Sequence, residues 1–126
     1  MEVAGVIAKR ATCPRASVGC VLVRDSRLIS AGYNGAPAGA AHCGCVVEAN
    51  HCIVAVHAEA NAVANAARAG ASTVGATAFC TLVPCRRCAS LLINAGVTRV
   101  VFASSDYADS GVALLHSVGV EVQPFG

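Results

Sequence analysis

From residue 57 onwards the sequence alternates between helix-like and strand-like segments. That alternation restricts the possible folds more than any other feature. His57 to Ala69 is dominated by alanine, the best helix former, and runs into Gly70, a residue suited to the left-handed position that ends a helix. Its small side chains allow close packing against a sheet. Ala76 to Leu82 reads as a strand. Cys85 to Ala95 reads as a helix, with Pro84 near its start and Gly96 past its end. Thr98 to Ala103 reads as a strand, Asp109 to Val118 as a short helix and Val120 to Gln123 as a last strand. A strand–helix–strand unit of this kind pairs its strands in parallel.

The first half supplies the rest of the sheet. Val3 to Ala11 is a short helical candidate ended near Pro14. Val18 to Arg24 and Leu28 to Tyr33 are apolar, β-branched runs joined by the turn dipeptide Asp25-Ser26, which reads as a hairpin. Asn34 to Cys52 is rich in Gly, Ala, Cys and His and reads as one long functional loop, which a metal would hold in place. The expected architecture is α/β: a mixed sheet of about five strands, the last two parallel, with helices on both faces. The 126 residues suit a single domain, 1–126, with one modest core.

Composition narrows the function. Hydrophobic residues make up 56% and charged residues 13%, which excludes a disordered chain and suggests that a partner subunit covers part of the surface. The apolar runs are too short for the roughly 20 residues that span a bilayer, and Met1 to Arg10 lack a signal-peptide pattern. A cytoplasmic, membrane-free protein is expected. The net charge of +2 and the scarcity of aromatic residues argue against a nucleic-acid partner. Eight cysteines in such a chain point to metal ligation or catalysis rather than to a disulfide scaffold.

Two motifs carry the chemistry: His57-Ala58-Glu59 and Pro84-Cys85-Arg86-Arg87-Cys88. Cys85 and Cys88, three apart at a helix start, point their sulfurs to one face, and the helix N-terminus favours their thiolates. His57 at the start of the other helix adds a nitrogen. Three protein ligands leave a fourth tetrahedral position open, as catalytic zinc requires. Glu59 lies roughly 200° around the helix from His57. It reaches the pocket as the acid–base group if His57 occupies the first turn. A lone C-x-x-C would fit a redox or structural zinc pair equally well, and a lone His-Ala-Glu says little. The two together, in this order, form the H-x-E and P-C-x-x-C signature of zinc nucleobase deaminases.

At this point the sequence resembles the deoxycytidylate (dCMP) deaminase branch of the cytidine deaminase superfamily. The resemblance rests on Thr12-Cys13-Pro14-Arg15 with Val18-Gly19, on Gly32-Tyr33-Asn34-Gly35-Ala36-Pro37, on His57 to Val63, on Pro84 to Cys88 with Ile93 to Gly96, and on Ser105 to Ser110. It implies the cytidine deaminase-like three-layer α-β-α sandwich and the zinc-dependent hydrolysis of dCMP to dUMP and ammonia. It also implies site roles: Glu59 as catalytic residue, Asn34 at the deoxyribose, the Ala58 backbone at the base, Tyr107 against the pyrimidine, and Arg10, or Arg15, at the 5′-phosphate. Many members of the branch are hexamers controlled by dCTP with Mg²⁺ and by dTTP, so a homo-oligomer, hexamer or dimer, is expected.

Cys13, Cys43, Cys45 and Cys52 stand outside both motifs and the strands. Relatives use similar positions for a structural zinc, with His42 or His51 able to replace a cysteine, so a second zinc is expected. Cys20 and Cys80 read as small core residues and His116 as a surface or helix-end residue. Two competing functions stay open: deamination of another small cytosine or guanine compound or a modified cytosine nucleotide, and a catalytically silent zinc-binding regulatory module.

Overall fold

The computed structural model describes residues 1–13, 16–41, 47–48, 51–52 and 54–126, with 47–48 and 51–52 as backbone alone. Pro14, Arg15, His42, Cys43 and Cys45 lie outside the described residues. The expected hairpin is β1 (Gly19–Arg24) and β2 (Arg27–Tyr33). Its two turn residues, Asp25 and Ser26, have φ of 52° and 62°. Left-handed conformation at both central positions matches the turn to the twist of the strands. Arg24 at the end of β1 donates to the carbonyls of Ser72 (2.7 Å) and Val74 (3.0 Å), tying the hairpin to the segment ahead of the next strand.

That strand is β5 (Thr77–Leu82), followed by β6 (Arg99–Ser104) and β7 (Glu121–Pro124). The sheet order is β2-β1-β5-β6-β7. β1 is antiparallel to both neighbours, whereas β5–β6 and β6–β7 are parallel. The expected mixed five-stranded sheet is therefore present, and its parallel part extends to three strands.

Helices cover both faces. The short α1 (Glu2–Ala8) lies over Gly19 so closely that a Cβ there would overlap the Ala4 carbonyl and stand 2.7 Å from the Ala8 nitrogen. The opposite face carries α2 (Ala58–Ala69), α3 (Arg86–Asn94) and α4 (Val112–Ser117). Between them and the sheet lies the core, with Cys20, Leu22, Ala58, Ala62, Ala78, Cys80, Leu92, Val100 and Leu115 fully buried. The alanine spacing is the cause: Ala58, Ala62 and Ala66 recur every fourth residue, share one face of α2, and let its backbone approach β1 and β2.

Three expectations need correction. The first helix ends at Ala8 rather than Ala11, because the N–H groups of Lys9 and Arg10 bond to carbonyls three residues back (3.2 and 2.9 Å), closing it with tight turns. The last helix begins at Val112 rather than Asp109, where the Ser110 hydroxyl accepts from Val112 N–H (3.2 Å). The segment from Asn34 to Cys52 is not wholly irregular. It holds a small ladder, β3 (Val47–Glu48) with β4 (His51–Cys52). As expected, Cys20 and Cys80 are buried core residues, facing each other at 3.6 Å, and His116 is exposed in the last turn of α4.

Candidate active site

The starts of α2 and α3 converge at the end of the sheet where β5 stops. Cys85 is the N-cap of α3, in extended conformation, and its sulfur accepts the Cys88 N–H at 3.5 Å. The motif therefore shapes its own turn: the capping group is one candidate metal donor, and the bond it accepts comes from the backbone of the second. His57 is the N-cap of α2, also extended, but its side chain makes no capping bond. Its Nδ1 instead points across to the two sulfurs, 3.5 Å from Cys85 Sγ and 3.3 Å from Cys88 Sγ.

These three donors lie within 4.8 Å of one another, the metal-capable cluster among the described residues. Zinc–nitrogen and zinc–sulfur bonds of about 2.0 and 2.3 Å at a tetrahedral angle place N and S about 3.5 Å apart. The observed spacings match, and one nitrogen with two sulfurs is a donor set zinc favours. The residues present thus fit Zn²⁺. Their protonation is prepared for it. The hydrogen bond from Cys88, and then His57 and the Cys88 N–H, hold the Cys85 thiol down at about 4, against the opposing effect of burial. Cys88, the partner that keeps the proton, is pushed up by that same bond and by burial.

Glu59 stands beside these ligands with 4% of its surface exposed. Burial raises its carboxyl, while a hydrogen bond from the Cys88 thiol pulls the other way. A carboxyl shifted upward at a pocket floor suits a group that must both take and return a proton near neutral pH.

A pocket beside these groups opens to solvent. Its metal side is His57, Ala58, Glu59 and Cys85, and its far side is Cys13, Ala16, Val18 and Asn34. Ala55, Leu82, Val83 and Tyr107 complete it. Of the expected substrate contacts, Asn34, Ala58 and Tyr107 line this pocket. Arg10 does not, standing exposed after the end of α1. Asn34 is 7% exposed, and its amide is engaged: Nδ2 donates to the Ala16 carbonyl (2.7 Å) and Oδ1 accepts the Val18 N–H (2.8 Å). Of the expected second metal site, Cys13 is buried and lines the pocket, and Cys52 is described only as backbone in β4.

Sequence reasoning overlooked Gly111. Its N–H donates to the Pro84 carbonyl (2.8 Å), and a Cβ on it would come 2.5 Å from Ala89 Cβ and 2.8 Å from the Cys85 carbonyl. With the bridge between Cys85 and Ser110, it presses the segment that carries Tyr107 against the first turn of α3. A glycine opening a short helix was the available signal.

The family model of the cytidine and deoxycytidylate deaminase zinc-binding region matches residues 1–104. ComE operon protein 2 of Bacillus subtilis is 41% identical over 123 residues, covering 94% of this chain and 65% of that protein. Deoxycytidylate deaminase of Schizosaccharomyces pombe is 36% identical over 136 residues, covering 99% of this chain and 42% of the relative. The chain thus spans less than two thirds of the length of either. Among solved structures, dCMP deaminase from the cyanophage S-TIM5, in complex with dCMP and dUMP, superimposes with a TM-score of 0.89 at 30% identity, over 98% of this chain and 92% of the phage chain. The match to the family model across both motifs, together with the deoxycytidylate deaminases among its relatives and solved structures, places the chain in the deoxycytidylate deaminase family of the cytidine deaminase superfamily.

Proposed function

We propose that the protein is a zinc-dependent hydrolase that converts dCMP and water to dUMP and ammonia. One observation carries the reading: His57, Cys85 and Cys88 aim three metal donors at one point beside the buried Glu59, at the wall of an open pocket. The cyanophage enzyme, whose structure holds dCMP and dUMP, supports the choice of nucleotide.

Zinc bound here supplies a Lewis acid that makes water acidic near neutral pH. The chain's own residues do the rest. Glu59 takes a proton from the attacking water at its carboxylate and delivers it to ring N3 of the pyrimidine as oxygen adds at C4. It then carries the second proton to the departing amino group, so that ammonia leaves neutral. Val18, Leu82 and Val83 give the pocket apolar walls that exclude bulk water from the carboxyl. Asn34, with one lone pair and one N–H beyond its two backbone bonds, is proposed to hold the deoxyribose. Tyr107 is proposed to lie against the pyrimidine and the Ala58 backbone to contact the base. For the 5′-phosphate the proposed partner is Arg10 or Arg15.

Further features rest on the family resemblance: a second, structural zinc held by Cys13, Cys43, Cys45 and Cys52; control by dCTP with Mg²⁺ and by dTTP; and assembly into a dimer or hexamer. A cytoplasmic location is proposed from the short, broken apolar runs of the sequence. No helix among the described residues is long and apolar enough to cross a membrane. Ammonia release should be followed with dCMP, CMP, deoxycytidine, dCTP and guanine side by side. Turnover of dCMP far above the others is expected. Preference for another compound overturns the substrate and keeps the chemistry. Inactivity on all five with zinc bound overturns the reading in favour of a silent zinc module or a different substrate. Metal analysis giving two zinc ions per chain is expected, and one defeats the structural site.

A further inference from the structure

The His57 side chain makes no capping bond at the start of α2, and its imidazole meets two sulfurs on another helix. The backbone that leads into it is tied to the segment from Tyr33 to Gly35. The residue before it, Val56, is paired through both backbone groups with Gly35: Val56 N–H donates to the Gly35 carbonyl (2.7 Å), and Gly35 N–H donates to the Val56 carbonyl (3.1 Å). From the first turn of α2, Asn61 reaches back. Its Nδ2 donates to the Tyr33 carbonyl at 2.7 Å and to the same Val56 carbonyl at 3.4 Å. Between Tyr33 and Gly35 stands Asn34, whose backbone and amide bind Thr12, Ala16 and Val18 on the far side of the pocket.

We infer that Asn61 is a positioning residue that locks the metal ligand His57 and the Asn34 wall of the pocket into one rigid frame. It touches neither metal nor substrate. A single amide group spans the end of β2, the peptide that leads into His57, and the helix that presents Glu59. Only a side chain with two N–H donors on one nitrogen can serve both carbonyls at once. Groups that hydrogen-bond a metal ligand directly change metal binding about 10–100-fold when lost, and Asn61 acts one peptide away, on the carbonyl ahead of His57.

The same helix provides a control. Asn65, one turn on, donates to the Ala31 carbonyl of β2 at 2.8 Å. It secures α2 to the sheet by the same kind of bond, but away from His57. Asn61→Asp and Asn65→Asp each replace a donor by a near-isosteric acceptor facing a carbonyl. The inference rests on the proposed deaminase reading only for its kinetic readout. The zinc readout stands alone.

Zinc affinity of both variants and the parent is measured by competition with a chromogenic chelator, together with thermal unfolding and, where the parent turns over dCMP, KM and kcat. Both variants should lose thermal stability. Asn61→Asp alone should weaken zinc at least 10-fold and raise KM, and Asn61→Ala, which removes the donor without adding a repelling acceptor, should fall between it and the parent. Equal zinc affinity in Asn61→Asp and Asn65→Asp, whatever the stability loss, overturns the inference. A parent inactive on every substrate but with the zinc difference intact would reject the deaminase reading and keep this one.

Discussion

The two helix starts that supply the metal donors are built by different means. That of α3 is largely local: Pro84 and Cys85 set the first turn and the Cys85 sulfur accepts the Cys88 N–H within the motif itself, with Ser110 and Gly111 bracing it from outside. That of α2 draws on remote bonds: His57 has no side-chain capping bond, and the peptide leading into it is paired with Gly35 and braced from the end of β2 through Asn61. A ligand pair three residues apart can be shaped by its own backbone. A single histidine, facing a partner helix across the fold, has to be placed by the sheet. The metal site therefore has one half that travels with its motif and one half that depends on tertiary structure.

The largest effect tests what the remotely built half carries. Glu59→Gln preserves shape and removes the carboxylate proposed to carry the protons. Turnover should fall by about 10²–10⁴-fold or more, with zinc content unchanged. Steady-state kinetics beside metal analysis checks both. Retained activity would mean that α2 contributes only a ligand, and the acid–base role would pass elsewhere.

The next test compares the seats of the two helices. Gly32 on β2 lies directly under α2: a Cβ there would overlap the Ala58 carbonyl and the Ala62 nitrogen and come 2.9 Å from the Asn61 carbonyl carbon. Those are backbone atoms of the first turns, which cannot swing aside. Gly111 seats α3 against the Ala89 side chain and the Cys85 carbonyl. Either glycine to alanine should cost about 1–3 kcal/mol through overpacking, seen as a lower midpoint in urea. Gly32→Ala should also weaken zinc, because the helix that gives way bears His57. Gly111→Ala should weaken it less, since the turn of Cys85 and Cys88 can move as a unit. The reverse order in chelator competition would break the comparison.

This contrast also explains what could be read without a structure. From α2 onward the strands and helices, apart from the start of α4, were legible because each is marked by local chemistry: Gly70 and Gly96 at helix ends, Pro84 at a start, and apolar runs between. The pair Cys85 and Cys88 was legible for the same reason. Asn61 was not, since an asparagine in an alanine-rich helix looks like a weak helix former whose side chain competes with the backbone. Its partners, the Tyr33 and Val56 carbonyls, carry no sequence identity at all. Gly32 was noticed only as part of a motif, whereas its cause is the close approach of α2. The shift of the first helix boundary to Ala8 reflects backbone turns that periodicity does not register.

A smaller effect concerns the thiols. With Cys85 held at about 4, lowering pH from 7 to 5 should leave its thiolate in place in the zinc-free protein, and protonation should follow only near pH 4. The sign is that of a depressed acid: the charged form dominates above the shifted value, where an ordinary thiol would still be protonated. Cys80 is shifted the other way, by its hydrogen bond with Cys20 and by burial. Brief iodoacetamide treatment of the zinc-free protein at pH 6, read by peptide mass spectrometry, should therefore label Cys85 and spare Cys80. Zinc should protect Cys85. Equal labelling of the two would show that the α3 start is not prearranged by its own turn, which removes the local half of the comparison.

The smallest effect belongs to α1, outside both helix starts. Gly5 sits inside α1, and a Cβ there would meet nothing within 4 Å. Alanine lowers the entropy of the unfolded chain and favours the helix without touching a neighbour. Gly5→Ala should stabilise the protein by about 0.5–1 kcal/mol. The opposite sign from Gly32→Ala follows from space alone, because the same methyl group is added to both. α1 packs over β1 through Gly19 and has no atom in the metal cluster, so zinc affinity should be unchanged. A zinc affinity that rises with Gly5→Ala would show that the α1 side of the sheet reaches His57 through the segment holding Thr12 and Asn34. The frame around the metal would then extend through both layers of helices rather than ending at β2.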